Sequence, residues 1–401
     1  MKTVAIISEY NPFHNGHLYQ TQKIREEFGE DTAIIAIMSG NYVQRAEAAI
    51  MEKWDRARIA VESGINLVVE LPFPFSSASA EYFAKAGVSI ANSIGVVDIL
   101  SFGSESGDVD ELGNAAENVM SHEFNAEIKR LAKESASLGF AKIREIAYEN
   151  LYGNSVNITT PNNILAIEYI KALKSLGSNI KPHTIKRCGA GYNENSYDES
   201  GVQSATYIRT LYNNDKYSAN GYIPRFAENY INDLINKNEF PCISEKLWPA
   251  ISSHLIKTSS REIASFAECG GGLADRLKAK VNEAADLQQL TALSSTKKYT
   301  TARIKRAMLF SFFGVTSSDL TEQPAYTQVL AMDKIGQALL KKIKKASSIP
   351  AITRPSSRGE EQTALCKQKD KADMADSVFQ LTKPVCACAA SIYRKTPYVK
   401  K

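Results

Sequence analysis

Residues 14–17 read His-Asn-Gly-His directly after the apolar run Val4-Ala5-Ile6-Ile7, and no other feature constrains this chain as much. An apolar run ending in a turn that opens a helix is the first strand-to-helix crossing of an α/β sheet. Two imidazoles one helical turn apart point the same way. They can donate to the phosphates of ATP as pyrophosphate leaves, where negative charge builds in the transition state. Gly16 lets the backbone come close to a nucleotide, and the new helix offers its first N–H groups to anions. His14 and His17 are therefore the candidate catalytic pair. Such a tetrad arises by chance in roughly three chains per thousand of this length and composition. Two unremarkable loop histidines are the weaker reading.

At 401 residues the chain can build two or three domains with cores of their own. No uninterrupted apolar stretch is long enough to span a bilayer. The opening Met1-Lys2-Thr3-Val4 reads as a strand entry with no long apolar signal segment, so a cytoplasmic protein without a membrane partner is expected. The six cysteines are Cys188, Cys242, Cys269, Cys366, Cys386 and Cys388. None forms a C-x-x-C pair, and Cys386-Ala387-Cys388 lacks the second pair or nearby histidine of a zinc site. Reduced thiols and no protein metal site are expected. Charge is uneven: residues 291–401 carry 20 Lys+Arg against 8 Asp+Glu, a net of +12, while residues 1–290 carry 28 against 36, a net of −8. A basic C-terminal third on an acidic body suggests that this end meets a polyanion. A solvated lysine-rich surface is the bland alternative.

Hydrophobic periodicity places strands at 4–7, 32–38, 67–71, 97–102 and 180–186, with helices at 17–28, 54–63, 79–91 and 161–176 between them. That alternation argues for a parallel sheet with helices on both faces, a Rossmann-like α/β fold. Residues 107–150 are charged and helix-periodic, a helical insertion that leaves the sheet. The first 210 residues then form an ATP-binding catalytic domain, and residues 211–401 a mainly helical region, basic from 291. Within it, Pro350, Pro355 and Gly359 mark the stretch 340–375 as loop or turn.

Ligands bind at strand ends in open α/β sheets, and several polar clusters fall there. They include residues 39–45, Phe102-Gly103-Ser104-Glu105, Pro161-Asn162-Asn163, and Lys186-Arg187-Cys188-Gly189-Ala190-Gly191-Tyr192. Each alone is as easily a capped turn as a site. Ser204-Ala205-Thr206-Tyr207-Ile208-Arg209 adds hydroxyls at a helix start with an arginine one turn in, so Thr206 and Arg209 are candidate phosphate ligands. Ser and Thr also cap many helices that bind nothing.

Together these blocks resemble the bacterial tRNA(Met) cytidine acetate ligases, nucleotidyltransferase-superfamily enzymes with an H-x-G-H motif. The matching residues are Glu9 to His17, Ser39 to Arg45, Phe102 to Glu105, Pro161 to Ala166, and Lys186-Arg187 before Gly189-Ala190-Gly191-Tyr192; similarity continues to the C-terminus. The resemblance implies activation of acetate by ATP to acetyl-adenylate, then acetyl transfer to N4 of the wobble cytidine of elongator tRNA(Met). It implies an ATP site of Ile7, Ser8, Glu9, Tyr10, Asn11, Pro12, Phe13, His14, Asn15, Gly16, His17, Leu18, Tyr19 and Gln20, with Gly103, Asn162 and Arg187. Magnesium is expected with ATP. The second superfamily signature is matched only in part, because Val202-Gln203 lead it and Tyr207 is bulky. Lys341, Lys342, Lys344 and Lys345 are candidate tRNA contacts. Two rival readings are a nucleotidyltransferase that builds a cofactor, and a non-catalytic RNA-binding protein. The first is usually under half this length and needs no basic C-terminal third; loss of a histidine would favour the second, and both are present.

Overall fold

The computed structural model describes residues 1–134, 138–153, 157–187, 203–214, 219, 221–357, 360–361 and 363–401. β1 (Thr3–Ser8), β2 (Ala33–Ser39) and β5 (Leu67–Leu71) are buried on both faces, as continuous apolar runs require. Alternate residues split between two cores. Ala5, Ile35, Ile37 and Val69 pack on one face, and Val4, Ile34, Ala36 and Val68 on the other. Helices α1 (Asn15–Phe28), α2 (Lys53–Glu62) and α3 (Ala80–Ser93) connect these strands, and β6 (Ile99–Ser104) follows. Between β2 and α2 lies a two-stranded antiparallel hairpin, β3 (Tyr42–Val43) with β4 (Glu47–Ala48).

The insertion forms α4 (Val109–Met120), α5 (His122–Glu134) and α6 (Phe140–Tyr152). Its apolar stripe, including Leu112, Ala116, Phe124 and Ala147, joins the first core beside α7 (Pro161–Ser175). β7 (Lys181–Lys186) closes one edge of the sheet. Terminal lysines and Pro182 suit an edge strand, because they blunt further pairing.

The remaining helices are α8 (Ala205–Asn214), α9 (Arg225–Asn236), α10 (Trp248–Lys257), α11 (Ser260–Ile263), α12 (Leu273–Lys280), α13 (Leu287–Ser294), α14 (Thr301–Phe312) and α15 (Ser317–Thr321). Several carry a third core around Leu255, Leu277, Ile304 and Phe310. The chain then returns to the sheet through β8 (Thr327–Met332), α16 (Lys334–Ala346), β9 (Ala351–Ile352), α17 (Ala364–Phe379) and β10 (Tyr398–Val399). Strand order is β10-β8-β5-β2-β1-β6-β7, with β9 paired to β8. Neighbours are parallel except β5 and β8, which run antiparallel.

Two expectations change. The stretch 340–375 is not loop throughout, because α16 runs to Ala346 and α17 starts at Ala364. Leu339, Leu340 and Ile343 give α16 a buried stripe, so Pro350 and Pro355 punctuate only the connection between helices. The mainly helical region after residue 210 also contributes β8 to the central sheet, where all six of its residues are buried. Its run Thr-Gln-Val-Leu-Ala-Met is short, and periodicity alone does not separate such a run from buried helix.

Candidate active site

Strand β1 delivers the turn 9–14 to the C-terminal end of the sheet, between its neighbours β2 and β6. Tyr10 sits in the left-handed region at φ 46°, a conformation a side chain resists, and its full burial in the second core holds it there. Asn11 fixes the turn from its own side chain, accepting the Ile50 N–H at 2.8 Å. Arg56, wholly buried, spans the turn and the next strand end, donating to the carbonyls of Glu9 and Gly40, both at 2.5 Å.

His14 is the N-cap of α1. Its Nδ1 accepts the Gly16 N–H at 3.1 Å, and Nδ1 of His17 accepts the His14 N–H at 3.2 Å. This is a capping box built from two imidazoles, satisfying N–H groups a helix start would otherwise leave open. It also fixes chemistry. With Nδ1 of each ring accepting, each neutral ring carries its proton on Nε2 and has an Nε2–H donor to offer a ligand. The rings stack at 3.8 Å, and Tyr10 and Phe13 pack on His17.

Burial keeps both rings neutral. Desolvation, then the positive charges of Arg187 and Arg209, bring His14 down to about 3. Desolvation, then His14 and Arg187, hold His17 well below its ordinary value. The site's positive charge therefore comes from arginines, and the imidazoles are neutral, each with an Nε2–H available.

Gly103 in β6, Asn162 in the first turn of α7, and Arg187 just after β7 come together on the β6 side of the pair. Arg187 donates to Asn162 Oδ1 at 3.4 Å. A side chain at residue 103 would meet the Arg187 stem at 3.3 Å, so glycine is what leaves room there. Glu105, absent from the site expected from sequence, organises this wall. It accepts from Asn162 Nδ2 at 2.6 Å, Asn163 N at 2.8 Å and Thr160 Oγ1 at 3.0 Å. A carboxylate on the N-terminus of α7 is stabilised there, and the Phe-Gly-Ser-Glu cluster was the available signal.

Arg209 in α8 approaches from another side, donating to Asn11 O at 2.8 Å and to Thr206 Oγ1 at 3.1 Å. Thr206 thus orients Arg209. Asn15 ties α1 to the loop before α9 through Tyr222 O and Gly221 O, both at 3.0 Å. Leu18, Tyr19 and Gln20 continue α1 and are half-buried. The cluster Cys188-Gly189-Ala190-Gly191-Tyr192 lies outside the described residues.

The lysines are not brought to this site. Lys341, Lys342, Lys344 and Lys345 are exposed on α16 while Ile343 between them is buried. The start of α16 is bound through Asp333 to Asn66, just before β5, and its end abuts Gly95, before β6. Both attachments lie where the chain enters strands, the opposite end of the sheet from the histidines. Among the described residues no group of three or more His, Cys, Asp or Glu side chains is placed to hold a metal ion, and no helix is long and apolar enough to cross a membrane.

Similarity to known proteins extends over nearly the whole chain. The HIGH Nucleotidyl Transferase family model matches residues 1–389. A tRNA(Met) cytidine acetate ligase of Acetivibrio thermocellus is 36% identical over 372 residues, 89% of each chain, and one of Anoxybacillus flavithermus is 32% identical over 409 residues, 99% of each. Among solved structures, Thermotoga maritima TmcAL bound with alpha-thio ATP superposes with a TM-score of 0.90 and its apo form with 0.92, each at 27% identity over 100% of both chains. The chain is a HIGH nucleotidyl transferase and belongs, within that group, to the tRNA(Met) cytidine acetate ligase family.

Proposed function

We propose that this chain joins acetate to the wobble cytidine of elongator tRNA(Met) at the expense of ATP. One observation carries the reading: two neutral imidazoles, fixed as Nε2–H donors at a helix N-terminus, flanked by Arg187 and Arg209. An acetate oxygen attacks the α-phosphorus, and the P–O bond to pyrophosphate breaks with its electrons going to the leaving group. Nε2–H of His14 and His17 meet the charge that grows on the phosphates, and a neutral donor needs no proton uptake to do so. The lone pair of cytidine N4 then attacks the acetyl carbon. The C–O bond to AMP breaks, AMP departs with those electrons, and the nitrogen releases one proton to water.

Residues 7–20 with Gly103, Asn162 and Arg187 hold the nucleotide on this reading, and Thr206 and Arg209 the outer phosphates. Magnesium travels with those phosphates, as it commonly does when a protein supplies few ligands of its own. Residues 1–210 carry the adenylation, and the basic region 211–401 receives the RNA. Lys341, Lys342, Lys344 and Lys345 contact the phosphates of the tRNA body, because their place on α16 is remote from the reacting base. Such an enzyme works in the cytoplasm, where its RNA is.

The test is mass spectrometry of nucleosides after incubating the protein with ATP, acetate and a tRNA(Met) transcript. N4-acetylcytidine should form without acetyl-coenzyme A. Acetylation that appears only when acetyl-coenzyme A is supplied rules the proposal out.

A further inference from the structure

A cavity of about 540 Å³ opens between the β3–β4 hairpin, α8, and helices α13 and α14. Sites for small organic ligands run roughly 300–1,000 Å³, so it is large enough for one nucleotide unit and far too large for acetate alone. Two of its lining residues connect it to the catalytic turn: Arg209 donates to Asn11 O, and the Ile50 N–H donates to Asn11 Oδ1, both at 2.8 Å.

Position sets it apart from the nucleotide wall. Gly103, Asn162 and Arg187 belong to β6, α7 and the end of β7, whereas the hairpin follows β2. In the sheet β2 and β6 flank β1 on opposite sides. Both directions converge on His14, which feels the charges of Arg187 and Arg209 together. A ligand in the cavity would thus reach the histidines from the side the adenosine leaves open.

The lining states what kind of ligand fits. Ile243, which is exposed, and half-buried Leu287 give apolar walls. Its acids are occupied: Glu47 pairs with Lys305, and Glu245 accepts the Leu287 N–H at 2.9 Å. Arg209 bonds neutral oxygens at Asn11 and Thr206, so its charge is available to an anion. Apolar walls for a flat ring and a single arginine for a phosphate suit one nucleotide splayed out of an RNA loop. Turning a base out of an already single-stranded loop costs little.

We infer that this cavity receives the acceptor nucleotide of the RNA, its base against Ile243 and Leu287 and its phosphate at Arg209 once pyrophosphate has left. The inference rests on the acetyl-transfer reading and adds to it where the acceptor sits.

Gln288 and Ala292 lie four residues apart on α13, both exposed on the lining, so tryptophan at either narrows the cavity without entering a core. The full chain carrying Gln288→Trp or Ala292→Trp is assayed twice. One assay follows acetate-dependent ATP–pyrophosphate exchange without RNA, the other acetylation of a tRNA(Met) transcript. Exchange should stay within about twofold of wild type, because the altered site is distinct from the adenylation site. Acetylation at limiting RNA should fall roughly tenfold or more, the scale of a lost base-stacking site, and Ala292→Ser should leave both unchanged. Wild-type acetylation by both tryptophan variants overturns the assignment, as does loss of exchange in step with transfer. A wild-type protein that exchanges pyrophosphate but never acetylates RNA overturns the functional reading itself, a distinct result because it needs no variant.

Discussion

His14 donates its backbone N–H to Nδ1 of His17 at 3.2 Å, so the second histidine of the motif is also the residue that caps the helix bearing it. On the proposed reading, helix start and phosphate donor are one device. Losing the His17 ring should cost stability as well as rate, and the two losses can be told apart. Gln is the usual capping-box partner at this position. His17→Ala should lower stability by about 1 kcal/mol, and His17→Gln should recover most of it while leaving adenylation slow. Urea titration beside a pyrophosphate-exchange assay separates the effects. Equal recovery of both by Gln would mean that the ring serves only as a cap.

The neutral histidines make stability depend on pH with a definite sign. In the unfolded chain they titrate near the ordinary 6.5, whereas His14 in the fold is held at about 3 and His17 well below its usual value. Below about pH 6.5 the unfolded state binds protons that the folded state does not. Their contribution is therefore complete above pH 6.5 and is lost as pH falls toward 3, by at most about 1.4 kcal/mol per pH unit for each histidine. His14→Asn keeps a good N-cap and removes one titrating group. Denaturation midpoints between pH 7.5 and 5 should fall less steeply in that variant. An unchanged slope would show that His14 is not held neutral.

Glu105 should matter to the nucleotide without touching it. Its carboxylate holds Asn162 Nδ2 and the first N–H groups of α7, and Asn162 in turn receives Arg187. Glu105→Ala should raise KM for ATP roughly tenfold, the scale of one missing charge-assisted hydrogen bond, with a much smaller effect on kcat. Steady-state exchange kinetics over a range of ATP concentrations measures both. A fall in kcat at constant KM would assign Glu105 to the chemical step.

How much of the fold and site is legible in the sequence follows from which interactions are local. The H-x-G-H turn, the caps and the β-α alternation are written in neighbouring residues, and the helices at 17–28, 54–63, 79–91 and 161–176 fall within a few residues of α1, α2, α3 and α7. Long-range partners leave no such trace. Nothing near Glu105 announces that it binds Asn162, 57 residues on. Likewise β8 reads as an ordinary apolar run until it is seen paired with β5, more than 250 residues earlier. For the lysines at 341–345, composition reports charge and exposure but not which end of the sheet they occupy.

One such hidden interaction fastens α17 to the sheet. Lys53 lies between Glu70 at 2.7 Å and Asp376 at 2.5 Å, all nearly excluded from water, and Asp376 also accepts from Asn41 Nδ2 at 2.8 Å. Burial alone would depress the Lys53 ammonium, but the two carboxylates hold it above the ordinary lysine range. Removing one partner leaves buried charge uncompensated, so Asp376→Ala should cost about 3–5 kcal/mol. Urea denaturation tests this, and a loss below about 1 kcal/mol would mark the cluster as solvated.

Replacing Lys341, Lys342, Lys344 and Lys345 with Gln should weaken tRNA binding and flatten its salt dependence, by nearly one unit of slope for each phosphate no longer neutralised. Acetyl-adenylate formation should not change, since α16 lies away from the histidines. Titrating labelled tRNA at two salt concentrations decides it; the same affinity and slope in the quadruple variant would place the RNA elsewhere.

On the proposed function, adenylation by the histidine pair is the step on which everything else depends, and exchange of labelled pyrophosphate into ATP reads that step without RNA. Exchange should require acetate, proceed without coenzyme A, and fall roughly 100- to 1,000-fold in His17→Ala, as expected for a missing transition-state donor, with ATP binding weakened far less. Exchange that ignores acetate, or persists near the wild-type rate in His17→Ala, would contradict it.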